Sequence, residues 1–415
     1  MQQGREYSML QANQSTLKQP SFTKYWVSRT LSSTSFQMLS VAIGWQMYQI
    51  THDAFSLGLV GLAQFVPMVL LTLIVGQVAD RYDRRMIVFL CQIIEGMVAA
   101  LLLIGTIADW LGREEILAAA AIIGACRAFE GPSSSALLPM LVPKELLPKA
   151  IAWTTSAGQT SQILGPTLGG LLFSVGPVYV YITAALALLT AGGLSFFIRV
   201  RTELTVKKPE PVTIQSLFSG LVFVRKHPVI LGTISLDLFA VLLGGATALL
   251  PIFAQDILHT GPWGLGVMRT APAVGALMMS MILAYFPLKR AYGPTLFGAL
   301  AVFGLATMLF AVSKQIWLSL IALLLIGASD VISVVIRSSL VQLQTPDEMR
   351  GRVNAVNSLF IGTSNQLGEF ESGTLAGWVG AANAAFIGGI GTIVVAGLWM
   401  VLFPSLRRLK SLSES

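Results

Sequence analysis

Charged residues are scarce in this chain. Asp, Glu, Lys and Arg make up 11% of its 415 residues, under half of the roughly 25% usual in soluble domains, which excludes an ordinary water-solvated fold. Cysteine is rarer still. Cys91 and Cys126 both fall inside apolar runs, where they act as small buried hydrophobes and build no disulfide or metal framework. The histidines, His52, His227 and His259, sit at the ends of apolar runs and form no cluster for catalysis or metal binding. No nucleophile with a neighbouring base is visible, so no enzyme activity, no cofactor and no metal are expected. Residues 1–20 are polar; no cleavable signal peptide is expected there, and the first apolar run should itself target the membrane.

What fills the chain instead is hydrocarbon, with 54% hydrophobic residues and a mean hydropathy of +0.73. Twelve apolar runs of about twenty residues are each long enough to cross a ~30 Å bilayer core as helix. Runs such as 316–326 do not alternate, which excludes a transmembrane β-barrel. The expectation is an all-α membrane protein of twelve transmembrane helices. The net charge of +7 does not point to nucleic acid, because the basic residues are segregated. Of 27 Lys and Arg, 22 fall on one side, Arg113 and Lys314 on the other, and Arg127, Arg269 and Arg337 within spans. That distribution predicts cytoplasmic termini. The polar stretch 199–216, broken by Pro209 and Pro211, reads as a linker. The expected division is a cytoplasmic tail (1–26), a six-helix bundle (27–198), a cytoplasmic linker (199–227) carrying an amphipathic segment at 214–226, a second bundle (228–404) and a tail (405–415).

Segment 76–85, GQVADRYDRR, sets two acids and three arginines between the second and third spans. Composition alone would make it a positive-inside clamp at the headgroups. Its pattern, carried by Gly76, Asp80, Arg81, Arg84 and Arg85, resembles the signature loop of the major facilitator superfamily of transporters, with Asp83 where the family usually has glycine. The resemblance implies two pseudo-symmetric six-helix bundles, helices 1, 4, 7 and 10 lining a central cavity, and a cytoplasmic gate at the five motif residues.

An offset of 203 residues exposes similarity between the halves. It carries Pro143 and Glu145 onto Pro346 and Glu348, Gly124 onto Gly327, Gly165 onto Gly368, Gly170 onto Gly373, and Arg127 onto Asp330. Repeated bundles place their binding site between the halves near mid-membrane. Polar stripes mark four helices: Ser33, Gln37, Ser40 and Gly44 on span 1; Arg127, Glu130 and Ser134 on span 4; Thr233, Asp237, Ala240, Gly244 and Thr247 on span 7; and Asp330, Ser333 and Arg337 on span 10. Such stripes also glue helices together in lipid. Span 11 carries Glu369 and Glu371, which point in nearly opposite directions. Glu371 shares a face with Asn357, Ile361, Ser364 and Gly368 and is assigned to the pathway; Glu369 is assigned to packing or to pairing with Arg269. Glu95 is read as a locally paired structural acid.

Six intramembrane acids (Glu95, Glu130, Asp237, Asp330, Glu369, Glu371) face three arginines, and a carboxyl without a cationic partner in such a place is suited to carrying a proton. The expected transport pathway is Gln37, Arg127, Glu130, Asp237, Asp330, Arg337 and Glu371, with Asp237 or Glu371 as proton carrier and with Arg127 pairing with Asp330, or Glu130 with either arginine. Met38, Trp45, Tyr48 and Phe239 offer an apolar surface to a bulky substrate, or simply pack helices.

Gly165, Pro166, Gly169 and Gly170 on span 5 resemble the glycine-proline signature of antiporter branches of the superfamily, although the same residues also suit tight helix packing. EGPSSSALLPMLVPKE and SLDLFAVLLGGATALLP resemble the third drug:proton antiporter family, which includes bacterial macrolide exporters and the enterobactin exporter. The resemblance implies a proton-coupled exporter of a small amphipathic molecule such as a siderophore, monomeric, in the bacterial inner membrane and working by alternating access. The alternatives are a multidrug or macrolide efflux pump, or a non-transporting receptor on the same fold. Its partners would be the substrate, protons and the lipid bilayer.

Overall fold

The computed structural model describes residues 16–200, 214–288 and 291–409. The outermost tail residues, the linker stretch 201–213, and the side chains of Asp80 and Glu348 lie outside the described residues, as do the surroundings of Gly76.

Among the described residues twelve long helices follow one another. In the first half these are α1 (Pro20–Thr51), α2 (Ala54–Arg81), α3 (Arg84–Ile107), α4 (Arg113–Leu137), α5 (Leu147–Val175) and α6 (Pro177–Phe196). In the second they are α7 (Pro228–Gly244), α8 (Gly261–Tyr285), α9 (Tyr292–Val312), α10 (Ile316–Gln344), α11 (Asp347–Val379) and α12 (Ala381–Leu402). Their ends are written in the sequence. Proline opens α1, α5, α6 and α7, where its missing N–H costs nothing. Asp53 and Asp83 cap α2 and α3 by accepting backbone N–H groups. His52 ends α1 in the left-handed region, φ 47°. The segment Ile214–Lys226 is helical and packs on α11, burying Val224 beside Ile230, Val341 and Val353.

Among the described residues nine helices are long and apolar enough to cross a membrane. The three that fall short, α1, α5 and α11, are 32, 29 and 33 residues long, so polarity and not length sets them apart. They carry the polar residues that face the other half or the helices of their own.

The halves repeat one packing scheme. α2 packs on α4, α3 on α6, α1 on α5 and α6; α8 packs on α10, α9 on α12, α7 on α11 and α12. The two largest contacts between the halves, α5 with α8 and α2 with α11, are equivalent under the same repeat, and smaller ones join α1 to α8 and α2 to the turn after α7. The glycines picked out by the 203-residue offset have equivalent neighbours. A Cβ on Gly124 would lie 2.2 Å from the Gln64 carbonyl oxygen of α2, and one on Gly327 would lie 1.9 Å from that of Pro272 of α8. Gly170 meets Gly266 across the halves, and Gly373 meets Gly58. Only a residue without a side chain lets backbones approach so closely.

Span 7 departs from expectation, being broken rather than continuous. After Gly244 the chain turns through a 3₁₀ segment (Ala246–Leu249), Leu250–Ile252 and a π-turn (Phe253–Ile257). Gly244 and Gly245 are poor helix formers side by side, and Gly245 lies against the Gly368 backbone of α11. Thr247 therefore lies past the break instead of continuing the helical stripe.

Candidate functional site

A cavity of about 400 Å³ lies between the halves, walled by α1, α2 and α5 on one side and by α8, α10, α11 and the turn after α7 on the other. Its charges are Arg269, Asp330 and Glu369. Around them stand the carboxamides of Gln37, Gln64, Gln162 and Gln366, each from a different helix. Arg269 donates to the Ser40 hydroxyl, tying α8 to α1 across the halves, and its charge acts on Glu369. Among the described residues Asp330 has neither a hydrogen-bond nor an ion-pair partner.

Of the sequence-assigned pathway, Gln37 and Asp330 line this cavity. Arg127 and Glu130 do not. They form a buried cluster within the first half, where Arg127 meets Glu95 at 2.8 Å and Glu130 at 3.0 Å. Ser32 and Gln92 donate to the same Glu130 oxygen at 2.7 and 2.9 Å. The Arg127 guanidinium stands 4.4 Å from the ring centre of Phe36, a cavity-wall residue. Arg127 thus pairs within its own half, and the expected Arg127–Asp330 pair is not made.

Asp237 and Arg337 pair with each other inside the second half, both buried. Arg29 and Ser134 are their counterparts in the first half, hydrogen-bonded at 2.9 Å. Pro20 and Pro228, which open α1 and α7, stand 208 residues apart, as do Arg29 and Asp237, while Ser134 and Arg337 on α4 and α10 keep the offset of 203. The same inter-helix seam is therefore an ion pair in one half and a neutral acceptor with arginine in the other.

Of the two span 11 acids, Glu369 packs on Gly61 of α2 and shares the cavity wall with Arg269, in keeping with the expectation, while Glu371 does not line the cavity. Glu371, half-buried, has only a 3.4 Å contact from its neighbour Ser372. The polar face that suggested Glu371 is a packing face: Gly368 abuts the backbone of Val241 and Leu242 of α7, and Ser364 is buried. Met38, Trp45, Tyr48 and Phe239 do not wall the cavity. Met38 and Trp45 are core, Tyr48 donates to Asp256 across the halves, and Phe239 rests on Trp399 with ring centres 5.3 Å apart. In the α5 motif Pro166 lines the cavity, Gly165 and Gly169 admit α1, and Gly170 admits α8. The sequence reading missed Gln64, Gln162 and Gln366 because single glutamines lack the periodic stripe used as the signal.

At the end carrying residues 82–83, Asp83 takes the place of a glycine without strain, since its φ is −63°. Its carboxylate accepts from the Arg85 backbone and side chain at 2.9 and 2.8 Å. Arg85 reaches the Ile198 carbonyl at 2.8 Å and Arg84 reaches that of Ala136 at 3.2 Å; Arg81 is exposed. These contacts brace the helix ends of the first half.

The hydrogen bonds described between the halves run from the cavity toward the opposite end. They include Ser40 with Arg269, Thr167 with Thr270 at 2.7 Å, and Tyr48 with Asp256. Such a repeat, with its polar chamber on the pseudo-twofold, is the architecture of a facilitator. A family profile described as "Transmembrane secretion effector" matches residues 11–414.

The chain belongs to that family, within the major facilitator superfamily. This transporter is 28% identical over 413 residues to the enterobactin exporter EntS of Citrobacter koseri, covering 96% of this chain and 95% of that protein. It is 27% identical to that of Escherichia coli O1:K1 over the same shares. Among solved structures it is similar to a bacterial homologue of the iron transporter ferroportin in an inward-facing state, with TM-score 0.71 and 17% identity over 95% of this chain and 100% of that one. It is also similar to the nucleoside transporter NupG, with TM-score 0.69 and 14% identity over 92% and 99%. These two likenesses concern the fold alone.

Proposed function

We propose that this transporter is a proton-coupled exporter of a small amphipathic molecule such as a siderophore, acting in the bacterial inner membrane by alternating access. The observation that carries the reading is the polar cavity between the two halves, together with similarity along nearly the whole chain to enterobactin exporters. In this reading both termini and the linker face the cytoplasm, as the placement of basic residues requires. The end bound by Tyr48–Asp256 and Thr167–Thr270 is then the outer gate, shut, and the chamber faces inward.

Asp330 is the acid best placed to couple protons to flux. It stands in the cavity without a cationic partner, where its ionised form is costly unless water or substrate attends it. The Arg127 cluster carries two carboxylates against one guanidinium and is the second place where a proton would balance charge. Asp237, paired with Arg337, is a poorer carrier than the sequence suggested.

The test is uptake of enterobactin into inverted membrane vesicles with and without an imposed proton gradient. Accumulation that needs the gradient and is lost in Asp330→Asn is expected. Gradient-independent accumulation would sink the coupling, and no accumulation of enterobactin would sink that substrate.

A further inference from the structure

The wall of the cavity is more specific than its size. Four glutamines converge on it from α1, α2, α5 and α11, and Arg269 joins them from α8. Gln37, Gln64 and Gln162 make no side-chain hydrogen bond among the described residues, and Oε1 of Gln366 is buried without a partner. A carboxamide offers two donors and an oxygen acceptor, so most of the hydrogen-bonding capacity of these groups is unspent.

A chamber for lipophilic cations would present aromatic faces. This one presents Phe36, and the guanidinium of Arg127 already stands over that ring. Arg269 and Asp330 with Glu369 supply charge of both signs, one cation against two carboxyls. A solute with a carboxylate alone would add to the negative excess and a cation alone would offset it but leave Arg269 without an anion, whereas a solute with both signs offers a partner to charge of each sign.

Building on the transporter reading, we propose that Gln37, Gln64, Gln162, Gln366 and Arg269 form a specificity site for an amide-bearing zwitterionic group of the peptide type, carried by the small molecule that the transporter exports. Arg269 takes the carboxylate, the cavity carboxyls take the cationic group, and the glutamines read the amides between them. A lipophilic cation entering this site would strip water from four carboxamides and return no hydrogen bonds. A site built for hydrogen bonding discriminates strongly against a ligand that cannot reciprocate.

The experiment is equilibrium binding to the purified full chain in lipid nanodiscs, with three probes: triglycine, hippurate and tetraphenylphosphonium. Triglycine should bind most tightly and tetraphenylphosphonium least. The pair Gln64→Leu with Gln366→Leu should weaken triglycine at least about tenfold, the loss of one good hydrogen bond, and leave tetraphenylphosphonium unchanged or tighter. Gln162→Leu, on an exposed part of the wall, should do the same more mildly, without risk to packing. Tighter binding of tetraphenylphosphonium than of triglycine, no triglycine binding up to its solubility limit, or leucine variants that bind triglycine like wild type would each overturn the assignment. The predicted ranking in protein that moves nothing across a vesicle would support the site while counting against transport.

Discussion

Arg127 and Asp330 occupy equivalent positions in the repeat, yet their surroundings separate them. Arg127 is neutralised locally by Glu95 and Glu130, whereas Asp330 faces the cavity. Arg127→Gln would leave two buried carboxylates unpaired and should cost about 3–5 kcal/mol, seen as a lower midpoint of thermal unfolding in detergent. Asp330→Asn should leave that midpoint near wild type. In the double variant the two effects should add within about 0.5 kcal/mol; recovery of stability there would show a coupling that this structure does not make. Asp83 offers a pH test outside the membrane. Burial pulls its carboxyl up, but hydrogen bonds from the Arg85 side chain and backbone and the Arg85 charge outweigh burial, holding it below the ordinary aspartate range. A carboxyl held low when folded stabilises above its unfolded value, about 3.9, and that contribution disappears as pH falls through the lower folded value. Hydrogen exchange at the start of α3 should therefore keep its protection from neutrality down to about pH 4 and lose it as the pH falls further. Asp83→Asn should abolish that pH dependence.

At the scale of elements, helix faces decide what a polar residue does. On α1 the stripe of Gln37, Ser40 and Gly44 does line the cavity. On α11 the similar stripe is consumed by packing against α7, and the opposite face, with Gln366 and Glu369, reaches the cavity. Periodicity locates a face but cannot name its neighbour. The α5–α8 seam shows the same dependence on backbone approach. A Cβ on Gly170 would lie 2.5 Å from the Pro262 carbonyl oxygen, so Gly170→Val should prevent the seam from closing. In a background with Cys91 and Cys126 replaced by serine, a cysteine at Thr167 should react faster with a membrane-impermeant maleimide when Gly170 is valine. Equal rates would show that the seam tolerates the bulk.

For the molecule as a whole, the alternation between two arrangements proposed above would be biased by the bonds that join the halves in this one. The Tyr48 hydroxyl donates to the Asp256 carboxylate from the other half, a charge-assisted bond worth about 1.5–3 kcal/mol net. Tyr48→Phe removes it with little change in volume and should move the equilibrium toward opening of that end by roughly tenfold or more. Distances between spin labels on residues 176 and 260 would report the shift, and an unchanged distribution would show that other contacts hold the gate. A ligand changes this balance only by binding one arrangement better than the other, which is what Arg269 allows, since it is both a cavity wall and a tie to Ser40.

Composition and run length were enough to determine a helical membrane protein. The 203-residue offset was enough to determine the repeat, because glycines and helix ends are local requirements that duplication preserves. The loop 76–85 was enough to suggest the superfamily. Tertiary structure alone decided which charges meet. Arg127 could have found Asp330, Glu95 or Glu130, and Glu369 could have faced α7 or the cavity. Those outcomes depend on the rotation of each helix about its axis, which is set by the summed close contacts of small residues such as Gly124, Gly327 and Gly368. A one-dimensional pattern holds the period of a helix but not the partner against which it turns.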